Sequence, residues 1–581
     1  MSAAIARSCP GSMAPRRWLP PRVPVVAVLL VFVALFGQTG TGWAADPTGG
    51  AAGAVLERDA QLRRQRLLQQ RLEERDRREP EEPVTDKTAV PPPAAPAGDV
   101  SFHVSRIEVG ESAILDQASI RRIVAPLEGR RVALQELFDA VEAINRLYAE
   151  QQAVAARAIL PPQKVSGGVV TIRLVEGRVG VIELSDNRDT DERFIRERLS
   201  SQPGDLVRIG SLEQDLFFFN TVNDVQLRAV LKPGEAAGTT DYLISVLEPE
   251  RHQYHFFLDN AGTRDVGRER IGVSYLDRSL TGVRDSLSLG GSLAEGTRSA
   301  YVAYSRPVTT GGTRLAFSLD YSEIDIVDGA LEPLNVSGDS YNLGLFATHP
   351  LRVTRAVLIN GFAGLNVKES TTDFDDVTLF ETRVRTVSLG FDAQAFGADS
   401  SWYTRHFLTA AREGWGNDRN FLNYNGEGSW LRLLPGGDTL LLRGRAQLSN
   451  KDLLPTSEQF QVGGMSSVRG YPEGLLIGDE GYFVSIEYAR TLRRDDGTGP
   501  DMASHQPLRG FVFFDHGAAF PFKGDDEDVD RDDFLTSAGF GINIDLGRQF
   551  RGRLVAGFPL FTRDDGKDDP SVHFYVQSTP F

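Results

Sequence analysis

Carboxylates crowd the run GDDEDVDRDDF, Gly524–Phe534, and oxygens at that density suggest a calcium ion. The run lacks the spaced Asp-x-Asp-x-Asp-Gly and the closing Glu of a calcium loop, so it reads as a solvated connection. His252 and His255 stand three apart. On a strand that spacing sends them to opposite faces, which argues against a shared metal. No glycine-rich loop followed by lysine is present to cradle a phosphate, and no Gly-x-Ser-x-Gly turn presents a nucleophile. No catalytic residue, metal ligand or cofactor is assigned, and no enzyme is expected.

A second kind of chemistry is charge held out of water. Val468, Arg469, Gly470 and Tyr471 lie in the long connection between Leu448 and Glu480. Gly463, Gly464, Gly470 and Gly474 suggest that this connection folds back on itself. Downstream, GFVFFDHG (Gly510–Gly517) alternates, with Phe511, Phe513 and Asp515 on one face and Val512 and Phe514 on the other. A carboxylate facing lipid is costly, so in a membrane strand Phe513 and Asp515 turn inward. An inward carboxylate needs a cation, and a loop arginine can supply one bidentately. Arg469 competes for that role with the inward-facing Arg443 and Arg445, and alternation alone leaves the choice open.

The elements that must position these groups are strands. From residue 250 to 581 helical periodicity disappears, and 16 candidate strands can be marked. In TLLLRGRAQLS, Leu440, Leu442, Gly444, Ala446 and Leu448 share one face, and Arg443, Arg445 and Gln447 the other. In GYFVSIEYA, Tyr482, Val484, Ile486 and Tyr488 oppose Ser485 and Glu487. Strands of ~10 tilted residues joined by alternating short turns and longer loops predict a transmembrane β-barrel of about 16 antiparallel strands. An even count closes such a ring without an exposed edge. A soluble sandwich would have to bury the arginines unpaired.

Residues 1–44 read as a signal peptide. Arg7, Arg16, Arg17 and Arg22 precede the uncharged run Val23–Phe36, and the cut falls after Ala44. The only cysteine, Cys9, leaves with it, which removes disulfides and thiol chemistry. A formal net charge of −16 argues against nucleic acid as partner. Residues 57–79 read as one arginine-rich helix with a thin apolar stripe, which by composition suits a solvated arm. Residues 80–99 read as an extended proline-rich linker. Two small α+β units follow, residues 100–176 and 177–249, each β-α-α-β-β. The barrel then spans 250–581, with the long loop 449–480 directed inward.

Val-Arg-Gly-Tyr in a late loop, with Phe-x-Asp in a following strand, resembles the signature pair of the outer-membrane-protein assembly superfamily. The two preceding units resemble its POTRA domains. Signal peptide, helix, linker, two such units and 16 strands resemble one branch, the two-partner secretion transporters. These are the TpsB or haemolysin-activator type, which includes the filamentous-haemagglutinin exporters. The resemblance implies a translocase of the Gram-negative outer membrane, with POTRA domains in the periplasm. Such a protein takes an unfolded exoprotein and threads it through the barrel without nucleotide. It implies that Arg469 pairs with Asp515 beside Phe513, and that the 57–79 helix plugs the pore. It also implies that LEQDLFFFN, with Leu212, Leu216 and Asn220, is the client-binding helix of the second unit. The partners implied are an adhesin- or cytolysin-like client, outer-membrane lipid and periplasmic chaperones. Exchanging the charges of Arg469 and Asp515 is then expected to restore part of the secretion that reversal at Arg469 alone removes. An insertase for other barrels shares the motif pair but carries more POTRA units, and a passive porin needs none. The C-terminus departs from the usual pattern. Thr579, Gln577 and His573 share the parity of Phe581, and the apolar Val572, Phe574 and Val576 fall on the other face.

Overall fold

A computed structural model of the chain describes Val55, Val84–Asp86 and residues 100–580, apart from short internal stretches. The signal peptide, the 57–79 helix and most of the 80–99 linker lie outside the described residues. The linker residues that are described, Val84–Asp86, form strand β1.

In the first unit the single strand expected over FHVSRIEV is two, β2 (Ser101–Val104) and β3 (Arg106–Val109). The chain breaks at Ser105 because β2 pairs with β4 (Arg130–Ala133), a strand too short to stand out by alternation. β3 instead joins β6 (Val169–Glu176), which also pairs with β5 (Ala156–Ile159). Helix Gln117–Val124 starts where the Asp116 carboxylate accepts from the Ser119 N–H. Helix Leu134–Glu150 buries Leu137, Val141, Ile144 and Tyr148, an i, i+4, i+7, i+11 stripe.

Glu176 closes this unit. Its carboxylate accepts from Ser112 Oγ at 2.5 Å, the Ala113 N–H at 2.9 Å and the Tyr148 hydroxyl at 3.0 Å. Burial raises its pKa, but the hydrogen bonds from Ser112, Ala113 and Tyr148 outweigh it and hold the carboxyl below the usual range. Burial pushes the Tyr148 phenol up to about 12. A depressed carboxyl pKa stabilises the native state above the unfolded value of ~4.3 and ceases to do so as pH falls through the native value. Glu176→Gln is therefore expected to cost ~1.5–3 kcal/mol at pH 7. The difference from the parent protein should shrink below about pH 4, as read by amide exchange at Tyr148 and Ile172.

The second unit is a four-stranded sheet in the order β1, β8 (Gln226–Pro233), β9 (Thr239–Leu247), β7 (Arg178–Ser185). Helices Glu192–Arg196 and Ile209–Val222 pack on it over Phe194, Leu212, Leu216 and Phe219. The internal repeat has one side chain in common. Asn145 clasps the backbone of Ala158 through both amide atoms, at 3.3 and 2.7 Å. Asn220 does the same to Leu227, at 3.0 and 2.7 Å.

Sixteen antiparallel strands then close a barrel. They begin with β10 (His252–Asp259), β11 (Arg270–Asp277), β12 (Ser286–Ala294), β13 (Thr297–Pro307) and β14 (Arg314–Asp325). Next come β15 (Val336–Val353), β16 (Val357–Phe374), β17 (Val377–Phe396), β18 (Ser400–Gly414), β19 (Arg419–Leu433) and β20 (Thr439–Ser449). A small hairpin, β21 (Phe460–Val462) with β22 (Leu476–Gly478), belongs to the long loop. The ring resumes with β23 (Glu480–Arg493), β24 (Leu508–Phe520), β25 (Phe534–Leu546), β26 (Phe550–Pro559) and β27 (Ser571–Ser578). β17 has 20 residues, about twice what a tilted strand needs to cross lipid, so its far end stands above the bilayer. β27 pairs with β10 over Tyr575–Ser578 and turns Val572 outward and His573 inward, so the apolar set of the last strand faces lipid and the polar set the lumen.

The outer face carries Val512, Phe514, Phe540, Leu554 and Phe558, all exposed. Aromatic pairs such as Trp402–Trp430 and Tyr321–Tyr341 have centroids 5.5 and 5.0 Å apart, as in interfacial girdles. The second α+β unit docks on the near rim, at the β11–β12 turn. Arg284 of that turn, wholly buried, donates to both Asp224 oxygens at 2.9 and 2.7 Å. The Gly282 carbonyl accepts from the Asp191 N–H, and Ser279 Oγ donates to the Asp189 carbonyl.

Candidate functional site

Every element of the site is a strand except its centre, which is the loop between β20 and β23. The inward parity of β24 places Phe511, Phe513 and Asp515 in the lumen and Val512 and Phe514 in lipid. The loop brings Arg469 to them. Arg469 Nε and Nη2 donate to the two Asp515 oxygens at 2.8 and 2.9 Å, and the Arg469 N–H adds a third bond at 3.1 Å. The guanidinium lies over the Phe513 ring, 3.6 Å from its centroid. Arg469 is 1% and Asp515 0% exposed, so water does not weaken the pair.

Two further N–H groups of Arg469 are also used. Nη1 donates to Glu487 Oε2 at 2.5 Å and Nη2 to Ser485 Oγ at 3.2 Å. Glu487 in turn accepts from Arg553 Nη2 at 2.8 Å, and Arg553 covers the Phe511 ring at 4.4 Å. Arg469 and Arg553 balance Asp515 and Glu487, the condition under which buried charge is tolerated, and Arg443 of β20, opposite Ser485, adds a further cation beside this quartet. His573 Nε2 donates to the Arg469 carbonyl at 3.0 Å.

The rest of the motif packs the loop tip against the wall. Val468 and Tyr471 are wholly buried in a cluster with Phe460, Val462, Phe483, Ala519 and Leu535. Tyr471 donates its hydroxyl to the Thr536 carbonyl at 3.2 Å, and the Gly470 N–H donates to Ser537 Oγ at 3.2 Å. Gly470 lies so close to β25 and β26 that a Cβ there would meet Ser537 Cβ at 2.5 Å.

Alternation already placed Ser485 and Glu487 on an inward face, but nothing linked them to the loop. Arg553 and His573 carried no motif. Their only signal was the parity of late strands beside a lumenal carboxylate. Of the competing cations, Arg445 reaches the loop hairpin and Arg443 reaches the wall strand β23. Arg443 lies 5.9 Å from the Phe483 ring centroid, and Arg445 lies 5.1 Å from that of Phe460.

A second tether lies on β16. Lys368 Nζ meets Glu458 Oε1 at 2.9 Å and donates to the Ser457 carbonyl at 3.0 Å. The loop is therefore fixed to the wall at two separated places. Lys368 and Glu458 are largely enclosed, so Lys368→Ala leaves a carboxylate short of its partner and is expected to cost ~1–3 kcal/mol. It should raise protease cleavage within residues 449–460 and leave the Arg469 end of the loop protected.

Leu212, Leu216 and Asn220 are placed elsewhere. Both leucines are 0% exposed in the core of the second unit. Asn220 has the same backbone clasp as Asn145 in the first unit, which marks it as a structural device of the repeat. As client-contacting side chains these three need correction, because the fold uses their surfaces internally.

Among the described residues no group of three or more His, Cys, Asp or Glu is placed to hold a metal ion. His252 bonds the Tyr275 hydroxyl, and His255 bonds Thr579 and Gln577. Most of the Gly524–Phe534 run lies outside the described residues.

The profile of the family described as "Haemolysin secretion/activation protein ShlB/FhaC/HecB" matches residues 238–544, and that of the "POTRA domain, ShlB-type" matches residues 102–177. The heme/hemopexin transporter protein HuxB of Haemophilus influenzae is 24% identical over 81% of this chain and 86% of its own length. The outer membrane transporter CdiB of Escherichia coli is 24% identical over 74% of this chain and 76% of its own. A solved structure of CdiB from Escherichia coli superposes with a TM-score of 0.64 at 21% identity, covering 93% of this chain and 100% of that one.

Proposed function

This chain belongs to the haemolysin secretion/activation family of outer-membrane transporters, and from that premise we propose that it exports one secreted polypeptide, held closed at rest by its own loop. The POTRA domains face the periplasm and the barrel spans the outer membrane. An unfolded exoprotein is taken up on the periplasmic side and leaves through the lumen. No step needs a catalytic group or cofactor, and net movement comes from the client folding outside.

One observation carries this reading. A lumen lined with charged side chains contains a loop fixed by a buried four-charge cluster, on a barrel whose near rim carries a docked POTRA domain. Passage requires that loop to leave or shift, and a passive pore has no use for the docked domain. The 57–79 segment serves as a second plug. In support, Val55 packs with Val266 and Ile324 at the far mouth, whereas Val84 packs in POTRA 2 at the near rim. The client is a large β-rich adhesin or cytolysin, and periplasmic chaperones keep it unfolded.

Deletion of the transporter is expected to remove one large protein from the culture medium and leave the other outer-membrane barrels at normal levels. Loss of many barrels would favour an insertase, and conductance without any secretion phenotype would favour a porin.

A further inference from the structure

The lipid face of the barrel carries two arginines set directly against one another. Arg385 of β17 pairs with Arg412 of β18 across the ladder, and both are exposed. Side chains so placed have Cβ atoms ~5 Å apart, and like charges there repel. The row continues to Val367 on β16 and Asn420 on β19. One row further out, Arg383 Nε meets Glu369 Oε1 at 2.5 Å, so that arginine has its own carboxylate. One row further in, Leu365, Val387, Ala410 and Leu422 are apolar. A groove of about 580 Å³ lies along these rows, with Leu365, Val367, Arg385, Val387, Ala410 and Arg412 among its walls.

The height of the pair identifies what it meets. β18 is the ninth strand of the ring and, like the first, runs outward from the rim that carries the POTRA domain. Trp402 marks the inner girdle, and Arg412 lies ten residues further along the strand. At ~3.3 Å per residue and a tilt of ~40° this is ~25 Å across the membrane, the height of the apolar band. The two arginines therefore stand at the level of the outer-leaflet headgroups, above a groove among acyl chains. We propose that this site binds a phosphorylated, acylated glycolipid of the outer leaflet, with the chemistry of lipid A. One phosphate bridges Arg385 and Arg412, Asn420 adds a hydrogen-bond donor, and an acyl chain fills the groove beside Ala410. Guanidinium groups suit a phosphate because each offers it parallel N–H donors. The proposal rests on the barrel lying in the outer membrane and not on which client is exported.

The same stretch of wall holds the loop on its inner side. Val384 and Ala411, the chain neighbours of Arg385 and Arg412, pack with Phe421 against Leu454 of the loop. Lys368, the chain neighbour of Val367, binds Glu458 and the Ser457 carbonyl. A bridging phosphate turns the repulsion between β17 and β18 into attraction. It thereby steadies the strands on which the first part of the loop rests, so the lipid site backs the loop's second tether from outside.

The test uses native mass spectrometry of the full-length transporter in detergent. The probes are diphosphoryl lipid A, the same lipid with its phosphates removed, phosphatidylglycerol and inorganic phosphate. The parent protein should retain diphosphoryl lipid A about tenfold or more tightly than the dephosphorylated lipid or phosphatidylglycerol, and excess inorganic phosphate should not displace it. Arg385→Gln with Arg412→Gln should remove that preference. Arg298→Gln, on the same face at the outer end of β13 and paired with Glu323, should leave it unchanged. Ala410→Trp fills the groove and keeps both charges, so it should weaken binding of lipid A with or without its phosphates. Equal retention of diphosphoryl lipid A by the double variant and the parent overturns the proposal. Equal retention of phosphatidylglycerol, or displacement by inorganic phosphate, overturns it as well. If the double variant fails to fold, Ala410→Trp decides, and undiminished lipid A binding there refutes the site. None of these readouts depends on secretion, so their failure removes the lipid site and leaves export standing.

Discussion

Asp515→Ala is expected to abolish export and leave barrel insertion intact. The substitution strands Arg469, together with the nearby Arg553, against a single remaining carboxylate, Glu487. Breaking a buried pair in this way costs ~3–5 kcal/mol, enough to shift a loop equilibrium by more than a hundredfold. The loop tip should leave the wall and become cleavable by external protease near residue 469, with exoprotein in the medium as the second readout. Arg469→Ala should be milder in protease exposure, because Glu487 keeps Arg553 as partner and only Asp515 is left alone. A charge exchange between Arg469 and Asp515 looks restorative from the pair alone. The geometry reverses that expectation. An aspartate at 469 would face Glu487, whose oxygen now lies 2.5 Å from Arg469 Nη1. The exchange should therefore fail unless Glu487→Gln accompanies it, and recovery in the triple variant checks the quartet directly.

Gly470→Leu should have a comparable effect for a steric reason. Besides Ser537 Cβ, a Cβ at 470 would lie 3.1 Å from the Phe558 carbonyl carbon and the Pro559 nitrogen, which are barrel backbone and cannot yield. The loop tip must then retreat, pulling Arg469 off Asp515 and Tyr471 off Thr536. Loss of export with normal amounts of folded barrel is the expected result. Gly470→Ala should show a weaker version, and Gly110→Ala, where a Cβ meets nothing within 4 Å, should be silent.

The barrel was legible in the sequence because period-2 alternation is a direct consequence of having lipid on one side and water on the other. It placed Asp515, Phe513, Arg443 and Arg445 on the correct face. Alternation could not say which arginine reaches Asp515, since a loop has no period, and that partner came from resemblance. Glu487 and Arg553 were missed for a related reason. They are ordinary inward residues until the loop arrives. β2 and β4 were merged or lost because four-residue strands carry too little pattern to read. Val84–Asp86 looked like linker, and only the neighbouring sheet edge makes it a strand.

A photo-crosslinker placed in turn at two adjacent positions of β18, with export arrested midway, tests the path most directly. Tyr403 faces the lumen, bonding Glu427 at 3.3 Å, and Trp402 faces lipid beside Trp430. A polypeptide in transit should crosslink to position 403 and not to 402. Capture at 402 with none at 403 would contradict export through the barrel interior.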